Sequence, residues 1–366
     1  MPILRTLTAA VLLLAVLQAS AESIYENVGR IVAVGDLHGD YEQYLQVLRD
    51  NDLIDKRLRW QGGDTHFVQM GDVTDRGPDS LKIIRHLMRL EKQAEKAGGR
   101  VHVLIGNHEA MNIQTDLRYV HPGEYLAFKS NKSMQRQKQY VDAVFRSMLK
   151  RQPDLMTQEK EKIAELEERY PLGYVEHRMH WEPGRELANW YAGQDAVIRI
   201  NDSIFIHGGL DPHASSFPSL DDINEAVRAE LQPGAQPKLT RDQRGPLWYR
   251  GLARHSAEEE LVPLEAMLAH YQARRIFVAH STTQGAVIPR FNAKVVLSDV
   301  GISAHYGASM ANVVIDGDSV KVRHRGKLLN LPVTDDLKPY LREVAALEPE
   351  GSRLVKYVNS LESLED

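Results

Sequence analysis

The chain has 366 residues, 43% of them apolar and 26% charged, with a formal net charge of −5. That is the balance of an ordinary globular protein, with room for one large domain or two small ones. No cysteine is present, which excludes disulfides, thiolate metal sites and cysteine nucleophiles, and the mild acidity without a long basic run speaks against nucleic acid as a partner.

Met1 to Ala21 has the marks of a secretory signal. Arg5 supplies the positive start, Leu7 to Leu17 the apolar core, and Ala19-Ser-Ala21 the small-residue cleavage site. The apolar run is short for a membrane anchor and Gln18 ends it. The expectation is cleavage after Ala21, a periplasmic or secreted product, and no stable membrane insertion.

Gly29-Arg-Ile-Val-Ala-Val-Gly35 is a buried-strand candidate that delivers Gly35-Asp-Leu-His-Gly39. Asp40 then caps a helix, with Gln43 in the capping-box position and Tyr41, Tyr44, Leu45 and Leu48 on one face. The next strand, His66 to Met70, leads into Gly71-Asp-Val-Thr-Asp-Arg-Gly77. A helix follows with Pro78 in its first turn and Leu81, Ile84, Leu87 and Met88 inward. Val101 to Ile105 is the third strand and delivers Gly106-Asn-His-Glu109. This βαβαβ start predicts a parallel sheet with right-handed crossovers.

Residues 129–190 change character. Charged residues dominate, and Val141, Val144, Phe145, Met148, Ile163, Leu166 and Tyr170 fall at helical spacing. Two or more amphipathic helices are expected there as an insertion that caps the core, with Glu159-Lys-Glu-Lys162 as a solvated face. Strand patterning returns at Ala196 to Ile200 and at Ile204 to Ile206, a hairpin about Asn201-Asp202, and ends in His207-Gly-Gly209. Arg275 to Ala279 is a further strand, ending in His280. Val295 to Leu297, Met310 to Ile315 and Val320 to Val322 follow, the last two joined at Asp316-Gly317. The expected organisation is a signal segment over 1–21, one catalytic domain over 22–335, and a peripheral helical tail over 336–366.

Five apolar strands are thus each followed by metal-ligand residue types: Asp36 and His38, Asp72 and Asp75, Asn107 and His108, His207, His280. One such cluster is ordinary turn chemistry. Five at one pole of one sheet, as expected here, point to bound cations held by oxygen and imidazole. His177 and His180 have helical spacing and are expected as a surface pair.

These motifs together resemble the signature set of the calcineurin-like metallophosphoesterases, in the phosphoprotein phosphatase branch. Asn107-His-Glu-Ala-Met-Asn112, Asp116-Leu-Arg-Tyr-Val120, Gly245-Pro-Leu-Trp-Tyr-Arg-Gly251 and Ser298-Asp-Val-Gly301 are similar to the Shewanella-like protein phosphatases. Two departures are that Ala279 replaces a Gly, and Thr282 stands where the broader superfamily has a second His.

The resemblance implies an α/β fold, a four-layer αββα sandwich with a helical insertion. It implies two divalent ions, with manganese expected and iron, zinc or magnesium as alternatives. Asp36, His38 and Asp72 would hold the first, and Asp72, Asn107, His207 and His280 the second. Such a pair lowers the pKa of a shared water toward ~7, giving hydroxide for in-line attack on phosphorus. His108 would protonate the leaving group, oriented by Asp75, with Arg76 and Arg250 clamping the phosphate. Asn107 also faces substrate in this scheme, and Tyr306 is a further candidate to reach it. The implied substrate is a phosphorylated protein or small phosphoester, phosphotyrosine preferred over phosphoserine or phosphothreonine. The competing expectations are a dinucleoside polyphosphate or nucleotide hydrolase on the same site, and a non-catalytic binding module.

Overall fold

A computed structural model describes residues 23–214, 217–334 and 336–363, so the expected signal segment lies outside the described residues. The strands are β1 (Ile24–Tyr25), β2 (Arg30–Val34), β3 (His66–Gln69), β4 (Arg100–Val103), β5 (Val197–Ile200), β6 (Ser203–Ile206), β7 (Arg275–Val278), β8 (Ile288–Arg290), β9 (Val295–Leu297), β10 (Ala311–Asp316), β11 (Ser319–His324) and β12 (Lys327–Asn330). They form two six-stranded mixed sheets, ordered β12-β11-β10-β2-β3-β4 and β1-β5-β6-β7-β9-β8.

In the first sheet β2, β3 and β4 are parallel neighbours, as the βαβαβ start predicts, and β10 closes antiparallel on β2. In the second, β5 and β6 are the expected hairpin, and β6, β7 and β9 run parallel. The period-2 alternation of strands decides what each face meets. Ile204, Ile206, Ile276 and Val278 pack with Leu220, Ile223, Leu264 and Met267 of the helices Leu220–Glu230 and Ala257–His270. Phe205 and Phe277 point the other way, stack at 4.8 Å, and join the core cluster that also holds Val32, Val68 and Val313 of the first sheet. Helices therefore cover the outer faces, and the two sheets share the principal core.

Asp40 caps the helix Tyr41–Asp50 by accepting from the Gln43 N–H, and Tyr44, Leu45 and Leu48 are buried while Tyr41 is only partly so. The helix after β3 is Ser80–Lys96 with Asp79 at its N-cap, so Pro78 precedes it and does not lie in its first turn. Its fully buried face is Ile83, Ile84, Leu87 and Leu90, with Leu81 and Met88 flanking. Between β4 and β5 stand the helices Pro122–Ala127, Ser133–Leu149, Glu159–Arg169, Tyr174–Trp181 and Glu186–Tyr191. Val141, Phe145 and Leu166 form a small core of their own there, with Val144, Met148, Ile163 and Tyr170 packed around it. His177 is fully buried among Tyr125, Phe128 and Trp181. The expected surface pair is therefore corrected: the aromatic rings that pack the insertion's helices together take in one of the two histidines. Helices Lys338–Ala345 and Arg353–Glu362 pack through Tyr340, Leu341, Val344, Leu354 and Val358 against Ala286 and Leu329. No described helix is long and apolar enough to cross a membrane.

Candidate metal centre and active site

The five clusters do meet, but not at one pole of one sheet. Asp36 and His38 follow β2, Asp72 and Asp75 follow β3, and Asn107 and His108 follow β4, all in the first sheet. His207 and His280 follow β6 and β7 of the second. The site lies where the carboxyl ends of strands from both sheets converge.

Asp72 is at its centre. Its Oδ1 is 3.3 Å from His207 Nε2, and its Oδ2 is 3.9 Å from His38 Nε2 and 3.7 Å from His108 Nε2. Asp36 Oδ2 is 3.7 Å from His38 Nε2, and Asp36 Oδ1 accepts from the His280 N–H at 3.2 Å. Two buried groups are close enough to hold an ion each, His38, Asp72 and His108 in one and Asp72, His207 and His280 in the other. Asp72 belongs to both. The first group has His108 where the resemblance places Asp36, whose Oδ2 also lies 3.7 Å from His38 Nε2.

The histidines are set up as donors of lone pairs. His38 Nδ1 lies 2.9 Å from the Thr74 carbonyl, which leaves Nε2 free. Burial and then repulsion from His108 hold the His38 ring down to about 3, so it is neutral at any ordinary pH. His207 Nδ1 lies 2.9 Å from the Met70 carbonyl while its Nε2 lies 2.9 Å from Asn107 Oδ1. With Nδ1–H donating to the Met70 carbonyl, Nε2 presents a lone pair beside Asn107 Oδ1, and the two atoms together suit a cation. His280 is held well below its ordinary value by burial, then by His207 and Arg250, and its Nε2 is buried with no partner. Asp36 is pushed up by burial and by the charges of Asp299 and Asp72. A buried cluster of like charges of this kind is stable when positive charge is shared with it. The donor set therefore fits divalent cations, with oxygen and imidazole of the right chemistry.

Beside this centre, His108 Nδ1 meets Asp75 Oδ2 at 2.6 Å, and the Asn112 amide donates to Asp75 Oδ1 at 2.9 Å. Burial works against a proton on His108, but the Asp72 charge and the Asp75 hydrogen bond outweigh it and push the ring up to about 9. Arg76 lies with its guanidinium 3.9 Å above the Tyr119 ring, and that ring is 5.1 Å from His108. Arg250 Nη1 donates to the His280 carbonyl at 2.6 Å, and its Nη2 is 3.5 Å from His280 Nδ1. Tyr306 also arrives, its ring 5.1 Å from His38. Every expected site residue is thus brought to one place.

Positive φ angles mark the site: His38 (43°), Asp72 (55°), Asp75 (71°), Arg76 (65°) and His280 (59°). Non-glycine residues hold such angles only where their surroundings over-determine them. Glu109 does much of that. Its Oε1 accepts from the N–H groups of Val73 and Thr74 and the Thr74 hydroxyl, and its Oε2 from the N–H groups of Asp72 and Gly106. At Gly106 a Cβ would stand 2.2 Å from Asp72 Oδ1, so only glycine lets the two loops close.

Glu109, Asn112, Tyr119 and Asp299 are functional neighbours that the sequence did not single out by role. The signal for Glu109 and Asn112 was their place at i+2 and i+5 from Asn107, on the same helix Asn107–Ile113. For Tyr119 and Asp299 it was only membership of a family-like stretch.

Residues 29–284 match the calcineurin-like phosphoesterase family. The chain is similar to Shewanella-like protein phosphatase 2 of Arabidopsis thaliana, 30% identical over 76% of this chain and 73% of the relative. It is also similar to Shewanella-like protein phosphatase 1 of Plasmodium berghei, 28% identical over 83% of this chain and 77% of the relative. Among solved structures it resembles the cold-active protein-tyrosine phosphatase of a psychrophilic Shewanella species, with a TM-score of 0.63 and 25% identity over 84% of this chain and 82% of that one. Three loops from one sheet and two from the other, closing on a shared carboxylate, are thus the meeting point of a hydrolase that belongs to the calcineurin-like phosphoesterase family.

Proposed function

We propose that this chain is an exported phosphomonoesterase with two divalent metal ions, acting on phosphotyrosine in preference to phosphoserine or phosphothreonine. The observation that carries the reading is the 2.6 Å contact between His108 Nδ1 and Asp75, with His108 Nε2 turned to within 3.7 Å of the shared carboxylate of Asp72. An acid held by a buried carboxylate beside a metal centre is what a phosphoester leaving group requires.

Asp36, His38, Asp72, Asn107, His207 and His280 would hold the ions, which supply Lewis acidity toward water and the phosphoryl group. The chain's own groups do the rest. Asp75 fixes the imidazole through Nδ1, so Nε2 is the nitrogen that gives its proton to the departing oxygen. Arg76, flattened on Tyr119, offers its fork to two phosphoryl oxygens. Arg250 has its guanidinium anchored on the His280 carbonyl, which positions it beside the metal centre. The similarity to a protein-tyrosine phosphatase supports an aryl ester as substrate, and the signal-like start supports export.

Mature protein should hydrolyse p-nitrophenyl phosphate, stop on chelation and recover with Mn²⁺. His108→Asn should lower kcat by roughly 10²–10⁴ with metal content intact. Unchanged turnover in that variant refutes the acid role. Faster cleavage of a dinucleoside tetraphosphate than of a phosphotyrosyl peptide would move the enzyme to the nucleotide class.

A further inference from the structure

Next to the metal centre a cavity of about 370 Å³ opens between the His280 loop and the two C-terminal helices. Arg250 is shared between the two spaces, since it lines the cavity and donates to the His280 carbonyl and to Ser281 Oγ. The floor is apolar, formed by Leu341, Leu354 and Tyr357 among others, and no acidic residue among the described residues lines it.

Arg254 stands on the rim, at the end of the short helix Gly251–Arg254. It is exposed. Some exposed arginines are paired, among them Arg59 with Asp55, Arg118 with Asp116 and Arg274 with Asp202. Arg254 has no hydrogen-bond or ion-pair partner among the described residues, and its like charge acts on Arg250. An unpaired cation beside an apolar hollow is complementary to an anion joined to an apolar group. A peptide chain presents both within one or two residues.

We propose that this cavity is a flanking-residue subsite for a phosphopeptide: it seats an apolar side chain against Tyr357 and Leu341 while a neighbouring carboxylate pairs with Arg254. This rests on the phosphatase reading above and names the substrate class more closely. A second phosphate of a polyphosphate substrate is the other source of the same charge, and the test separates them.

Two phosphotyrosyl peptides that differ only in Glu-Leu or Lys-Leu beside the phosphotyrosine are compared on the metal-loaded enzyme, each kcat/KM normalised to p-nitrophenyl phosphate. The acidic peptide should lead by roughly tenfold, since attraction of one and repulsion of the other act together. Arg254→Glu should reverse the order, and Arg254→Gln should bring the ratio close to one. A wild-type ratio near one, or a ratio unmoved by Arg254→Glu, overturns the subsite. If Arg254→Glu instead weakens diadenosine tetraphosphate and leaves the peptide ratio alone, the peptide assignment is overturned. Absence of any chelator-sensitive turnover of p-nitrophenyl phosphate is a different failure, that of the phosphatase reading itself.

Discussion

Replacing Glu109 with Gln changes one atom of the site and tests how the loops are held. Burial and the Asp72 charge push the Glu109 carboxyl upward, yet its five neighbours are all donors: four backbone N–H groups and the Thr74 hydroxyl. Only the carboxylate can accept from all of them, and a protonated carboxyl would aim an O–H at another donor. Glutamine must place its NH₂ on one side or the other. Toward Asp72 and Gly106 it strands two backbone N–H groups. Toward Val73 and Thr74 it strands two as well, although the Thr74 hydroxyl can turn to accept. Each buried donor left without a partner costs about 1–3 kcal/mol, so the variant should lose roughly 4 kcal/mol. That is a large part of the stability of a typical domain. Urea unfolding of the apo protein reads the loss directly. Metal titration of the folded fraction should show weakened binding, because Asp72 is carried on the released loop. A loss below about 1 kcal/mol with unaltered metal affinity would refute the idea that this one carboxylate pins the two loops together.

Asp72→Asn should abolish tight binding of at least one ion, seen as less than the wild-type metal content after gel filtration, because the carboxylate in both donor groups loses its charge. Full retention of metal would remove Asp72 from the centre. Tyr119→Ala takes away the surface under Arg76, and a cation–π contact of ordinary strength predicts a KM rise of roughly two- to fivefold for p-nitrophenyl phosphate. A changed kcat at constant KM would contradict that role. A pH effect is expected away from the site, between β3 and β4, where His102 Nε2 lies 3.0 Å from His66 Nδ1. Burial and then Arg100 hold His66 down to about 4, and burial and His66 hold His102 well below its usual value. The unfolded chain therefore takes up protons first as the pH falls. The stability from these neutral rings is complete above about 6.5 and drains away as the pH drops toward 4. After discounting for the partial exposure of His66, the loss is about 1–2 kcal/mol. His66→Gln should flatten the urea midpoint over that pH window, and an unchanged slope would count against the pair.

The residues that meet at the candidate site were legible in the sequence, because that information is local. A strand that ends in Gly-Asp, Asn-His or His-Gly carries a ligand-type residue within two or three residues of its last apolar position, and β2, β3, β4, β6 and β7 all do so. It also carried the βαβαβ order, the hairpin at Asn201-Asp202 and the amphipathic helices of residues 129–190, since period and turn chemistry are written in adjacent residues. Which sheet each of these residues comes from, and how the loops are held, emerge only from the packing of distant segments. His207 and His280 lie on a second sheet, and no short-range pattern distinguishes two sheets facing each other from one. Glu109 as the clamp of the Asp72 loop, Tyr119 under Arg76, His177 inside the insertion and Arg254 beside the C-terminal helices all depend on contacts between distant segments. Such contacts are fixed by packing and by the demand that each buried donor find an acceptor, and a linear reading cannot assign those partners.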